Sequence, residues 1–540
     1  MLTLAGLLES LLHGTVLVAF CLTIGSVAWA LGVLRTGREP MPVVDGRCLR
    51  VFGIGAAILA LGGAGLLALK TVILSDTLGA GALGEFARTE HFRAGAARVV
   101  LALALVAVTQ VIRKAPAAGW ATAAALALLL AGVTAWLTHA TGRLTQRAPL
   151  MALTVAHQLA AAVWLGGLVQ LAAAGRLARR HPEVDARWPT LVARFSGLAT
   201  GALVALLASA LPLAWTYTGS AEALVGTGYG SLILTKSLLL AAALALGAAN
   251  FMTVRRARAS APSPALRARL PRLVEAETIL LVMITFAAAA LSSQPPAGDV
   301  PVQERATVGE VAEVFRPKVP AFATPSVERM RQNRAEAATG AERTPDAYRW
   351  SNFSHNVAGL ILLAMSLVAL AGFLTGGGGA RHWPLGFVAL AAFIYLRAAA
   401  NEGAWPFGAT SLRAIDAEGL QHRIAAVLVL ALGLVEWRAR ARPNSRGRLA
   451  YVFPALAAAG GMLLLAHSHA AFQLKSSFLV QVTHSTMGAF AGLMVTARWL
   501  ELGLPTPWRR VAGIAAGASM LAIALILVFY HEANIALPPD

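Results

Sequence analysis

Twelve histidines run through this 540-residue chain, and imidazole is the side chain best suited to holding a transition metal or moving a proton near neutral pH. Their spacing ties several of them to polar neighbours. Glu9 and His13 are four apart, so on a helix they share a face, and the carboxylate can orient the ring. Thr154, His157, Ala161 and Trp164 form an i, i+3, i+7, i+10 stripe. Gln481, His484 and Gly488 form a similar stripe, with Met487 within a turn of His484. A thioether beside an imidazole favours copper(I) over magnesium or calcium. His467 and His469 are two apart, so a regular helix turns at most one of them toward a common site. His139, His355 and His422 complete the candidate metal ligands.

These residues must be positioned by elements suited to lipid. The chain is 57% hydrophobic and 13% charged, with 50 glycines and a mean hydropathy of +0.66, where soluble proteins carry roughly 25% charged residues. That excludes a water-soluble enzyme, a disordered tail and, with only Cys21 and Cys48, a disulfide framework. A helix needs about 20 apolar residues to cross a ~30 Å hydrocarbon core. Such stretches predict fourteen helices in an all-α polytopic transmembrane bundle: near 7–33, 52–74, 94–112, 118–141, 150–175, 191–217, 229–252, 273–293, 354–375, 384–400, 420–437, 450–468, 478–499 and 511–531. The first is read as a retained helix, since MLTLAGLLES lacks a basic n-region. Residues 1–293 form an eight-helix domain and 351–540 a six-helix one. Between them, 294–350 is a Pro-rich linker whose eight basic and eight acidic side chains cancel, with no convincing core.

The net charge of +19 belongs to topology, not to nucleic acid. Runs such as RLARR, RRARAS and RARARPNSRGR fall in alternate loops, and Lys and Arg in short loops mark the cytoplasmic side. Both termini and the 294–350 segment are then periplasmic, and nine of the twelve histidines lie in the outer half of the membrane or at its rim. An ionisable group inside a span is a functional candidate by default. Lys236 and Arg397 are two further such groups. Lys70 can snorkel to the interface, and Glu275 and Glu277 are accounted for by the helix dipole and the neighbouring Arg-rich loops. Gly- and Ala-rich runs such as GGAGLL supply packing surfaces. The chain has no Walker A loop and no phosphorylation motif, so ATP-driven pumping and enzymatic turnover are not expected.

TVAHQLAAAVWLGGLVQL (154–171), RFSGLAT (194–200), TYTGS followed by YGSLILTKSLLLAAALALGAANFM (229–252), and VEAETILLVMITFAAAALSSQPP (274–296) occur in this order. As an ordered set they resemble the bacterial copper resistance protein D (CopD) family. SHNVAGLILL, NEGAWPFG and LQHRIAAVLVLALGLVEWR resemble the C-terminal extension of its longer members. The resemblance implies a multi-pass inner-membrane protein that takes copper from a periplasmic carrier of the CopC type and moves it inward, with His157 as the best-matched ligand. His13 and His139 are assigned by depth alone. The alternative is a membrane redox protein in which the same histidines ligate haem b, and a third reading is an assembly partner docked through the outer segment. A path from His13 to Cys21, eight residues along the first helix, and on to Cys48 near the inner face is also available.

A topology reporter fused after Pro296 is expected to score as periplasmic. A cytoplasmic score would invert the depth of every histidine.

Overall fold

The computed structural model describes residues 2–36, 40–79, 81–259, 264–330, 332, 344–375, 378–401, 417–441, 447–466 and 475–532, and its regular elements are helical. In chain order they are α1 (Leu2–Trp29), α2 (Pro42–Leu78), α3 (Ala82–Arg88), α4 (Glu90–Lys114), α5 (Pro116–Ala135), α6 (Arg147–Ala178), α7 (Pro182–Thr218), α8 (Ala221–Gly226), α9 (Gly228–Ala259), α10 (Pro264–Ser292) and α11 (Val308–Phe315). There follow α12 (Pro345–Thr375), α13 (Gly386–Asn401), α14 (Ala417–Ala441), α15 (Val452–Ala466), α16 (Lys475–Gly503) and α17 (Trp508–Val528).

Among the described residues, twelve helices are long and apolar enough to cross a membrane. They coincide with twelve of the fourteen expected spans. The other two are helical but different in kind. The expected span 420–437 lies inside α14, which carries Arg423, Glu436, Arg438 and Arg440, and 450–468 becomes the shorter apolar α15. The protein is an all-α, multi-pass helical bundle.

The chain divides into two compact units. The first comprises Ala5–Ser220 and Leu240–Asp299, and the second comprises Met1–Leu4, Ala221–Leu239 and Val300–Asp540.

In the first unit, prolines at the first turns of α2, α5 and α7 start helices where their missing N–H would be unpaired anyway. The expected helix 118–141 stops at Ala135. The Thr138 hydroxyl donates to the Ala135 carbonyl at 2.7 Å and the Thr141 hydroxyl to the Trp136 carbonyl at 2.9 Å. Short polar side chains there capture carbonyls that a longer helix would use, and His139 opens a 3₁₀ turn, His139–Gly142, instead of closing a helix. α1 and α6 meet backbone to backbone. A Cβ placed on Gly25 would stand 2.5 Å from the Gly166 Cα, and one on Gly166 would run into the Cys21 carbonyl. Close approach through small residues is how helices associate where lipid offers no hydrophobic drive.

The second unit buries charge. Glu436, fully buried, is flanked by Arg440 (2.5 Å) and Arg498 (2.9 Å), and Arg498 also holds Glu501 at 2.7 Å. α11 lies in the stretch expected to lack a core and gains one from α16: Val311 and Val314 pack on Ala306, Phe478, Leu479 and Val482. A capping box between Thr307 and Glu310 starts α11, and the Lys475 ammonium reaches Glu310 at 2.5 Å.

Gly166→Val is expected to destabilise the first unit by about 1–3 kcal/mol or more through overpacking, seen as a lower melting temperature in detergent. Gly132→Ala, where a Cβ meets nothing within 4 Å, is expected to be neutral or to stabilise by up to ~1 kcal/mol. Equal effects would refute the backbone contact.

Candidate functional site

The candidate ligands fall into separate groups. In the first unit a cavity of about 320 Å³ is lined by Glu9, His13, Lys70, His91, Arg98 and His139, with Ser292 among its further walls. Three histidines from α1, α4 and the turn after α5 thus share one space. Glu9 does not hold His13. Its carboxylate pairs with the Lys70 ammonium at 3.1 Å, and the same ammonium donates to His91 Nε2 at 3.1 Å. His13 Nδ1 lies 3.1 Å from the Ser292 hydroxyl on α10.

His139 sits beside a latch at the end of α7. Arg143 grips Asp299 through two bonds of 2.9 Å, its guanidinium lies 5.3 Å from the Tyr217 ring centroid, and that ring meets His139 edge-on at 6.2 Å. Tyr217 comes from the TYTGS stretch, so that motif holds this corner. The adjacent Gly219 has φ +69°, which a residue with a side chain rarely adopts.

His157 is not among the residues lining the cavity. Its Nδ1 lies 3.5 Å from the Ser209 hydroxyl of α7. Further along its stripe, Trp164 Nε1 donates to Glu277 Oε1 at 2.8 Å, and Asn250 Nδ2 donates to the other oxygen at 2.6 Å. Glu277 is therefore a buried carboxylate held by neutral donors, and the Arg-rich loops do not account for it. Glu275 does meet arginines, Arg176 at 3.3 Å and Arg272 at 2.9 Å. Arg194 of RFSGLAT donates to the Val33 carbonyl at 3.0 Å, closing the end of the first span. Cys48 Sγ donates to the Ser26 carbonyl at 3.5 Å, and Cys21 is buried, so both thiols are packed into helix contacts.

In the second unit His355 on α12 and His484 on α16 face each other, with ring centroids 5.9 Å apart and planes at 89°. Each Nδ1 lies 2.9 Å from the carbonyl four residues earlier, Ser351 and Val480 respectively. A carbonyl only accepts, so Nδ1 carries the proton in both rings and the lone pair resides on Nε2. This is the arrangement by which metal-ligating histidines are oriented. Tyr530 stacks on His355 at 4.0 Å and donates to Glu532 at 2.7 Å, and the Ser351 hydroxyl donates to the same oxygen at 2.5 Å. Gln481 and Met487 are buried on α16, and His422 is exposed on α14. His467 and His469 lie outside the described residues. Lys236, half-buried on α9, has no ion-pair partner among the described residues, and Arg397 is cradled by Ser354, Thr324 and the Trp350 ring. Among the described residues no three His, Cys, Asp or Glu side chains gather closely enough to hold a metal ion, so His355 and His484 stand as a pair.

From sequence, Lys70 is set aside as an interfacial lysine, and neither His91 nor Arg98 is singled out as a candidate. Arg98 carried the available signal, a charge inside an expected span.

The fold and these buried polar groups define a multi-pass α-helical membrane protein. Residues 189–291 match the family described as Copper resistance protein D. The chain is also 31% identical over 139 residues to the Copper transport protein CutJ of Bacillus subtilis (strain 168), a stretch covering 26% of this chain and 24% of that protein. The chain thus spans about a quarter of the length of that relative. No solved structure matches.

Burial holds the His139 imidazole below its ordinary value of 6.5, against the Leu291 carbonyl and helped by Arg143. Burial, then Lys318, lowers His531 in the same way. The unfolded chain therefore binds more protons below about pH 6.5, and stability is lost as pH falls through that value. The melting temperature is expected to be flat above pH 7 and to drop toward pH 5, with a shallower drop in His139→Gln/His531→Gln. An unchanged slope in the double variant would refute this assignment.

Proposed function

We propose that the protein is a copper-handling protein of the bacterial inner membrane, a transport or resistance component and not an enzyme, which binds copper through histidines near the outer face and moves it across. The 189–291 match and the copper transport relative support copper as the cargo. The observation that carries the site is the His355–His484 pair: two imidazoles on different helices, both with Nδ1 committed to a backbone carbonyl. Two Nε2 donors from facing helices suit copper(I), which accepts few ligands and favours soft or imidazole donors. Met487, on the same helix as His484, adds thioether character nearby, and Tyr530 fixes the His355 ring from one face.

The placement of Arg-rich loops supports an outward-facing position for this pair and periplasmic termini. A periplasmic carrier of the CopC type is then the natural donor. The eight-helix segment 1–293 carries the 189–291 match, and 351–540 is a second membrane domain that holds the copper-binding pair.

His355→Ala and His484→Ala are each expected to lower the copper bound per purified protein, at unchanged expression and membrane insertion, and the double variant to slow copper uptake into sealed vesicles. Undiminished copper in both single variants would remove the pair from consideration. A Soret band in the purified protein would replace copper by haem.

A further inference from the structure

The first-unit cavity has a charge that its own walls leave unbalanced. Arg98 enters from α4 and is only 4% exposed, yet its Nε has no hydrogen-bond partner among the described residues. The one carboxylate lining the space, Glu9, is committed to Lys70. Lys70 and Glu9 cancel, so with neutral imidazoles the cavity carries the uncompensated charge of Arg98. Removing a guanidinium from water without a partner is strongly unfavourable, and a buried arginine without one therefore calls for an anion.

The remaining hydrogen-bonding capacity has the same sign. Arg98 presents N–H donors, and Lys70, which has three, uses one on Glu9 and one on His91. Spare donors and no spare carboxylate suit an acceptor-rich ligand and disfavour a bare metal cation. A volume of about 320 Å³ is at the lower end of small-molecule sites and exceeds what a halide fills. A planar guanidinium matches a carboxylate bidentately.

We propose that this cavity binds a small carboxylate ligand, with Arg98 as its seat and Lys70 at its edge. The site is independent of the His355–His484 pair and of the identity of the cargo.

The test uses the purified full-length protein in detergent, titrated with acetate and citrate, and in parallel with chloride and phosphate at matched ionic strength. A saturable rise in melting temperature is expected with a carboxylate, and calorimetric affinity for that probe should fall at least tenfold in Arg98→Gln and severalfold in Arg98→Lys. If Arg98→Gln does not fold, the wild-type titrations and Arg98→Lys still decide. No saturable effect of either carboxylate, an equal effect of chloride or phosphate, or unweakened binding in the Arg98 variants that fold would each overturn the proposal.

Discussion

Inside hydrocarbon a polar group has no water to turn to, and that constraint shapes every level of this protein. Backbone amides are satisfied within helices, the only open-ended element that can do so alone. Side-chain hydroxyls bond back to carbonyls of their own helix, as Thr134 does to Leu130 and Ser366 to Leu362. Charges are gathered into closed sets. Glu436 and Glu501 are matched by Arg440 and Arg498, Glu275 by two arginines, Glu9 by Lys70. Glu277 is held by two neutral donors instead. Against that background Arg98 stands out as a buried guanidinium at a cavity wall with no ion-pair partner among the described residues.

The second determinant is distance between backbones. With lipid as apolar as leucine, helices associate through shape and not through escape from water. Gly25 and Gly166 bring α1 against α6, and Gly359 admits the backbone of α17 near Val528. Such contacts fix helix rotation, and helix rotation decides which histidine faces which neighbour. His13 is turned toward Ser292, His157 toward Ser209, and His355 toward His484.

The two units consequently offer different chemistry. The second presents an imidazole pair with a carboxylate and a tyrosine behind it. The first presents three histidines in a space dominated by an unbalanced guanidinium, suited to an anion. The CopD segment runs through α7, α9 and α10, and several of its recognisable residues serve structure: Arg194 closes the end of a span, Tyr217 braces the corner at His139, Glu275 binds arginines. The residues that carry the family match thus lie apart in the chain from the His355–His484 pair of the second unit.

The membrane-spanning helices, the all-α bundle and the pool of histidines were legible in the sequence because each depends on local composition: apolar length defines a span wherever it occurs. Local reading failed where a few side chains reset a boundary, as Thr138 and Thr141 end α5 before His139, or where a charge found an unforeseen partner, as Glu9 found Lys70. Which histidines meet was decided only by tertiary structure. Convergence depends on the rotation and approach of helices far apart in sequence, which small-residue contacts set and which no periodicity within one helix records. The sequence by itself determined that this chain lies in a membrane and carries metal-capable side chains. The packing decided that His355 and His484 face each other while Arg98 stands over a cavity without a counter-charge.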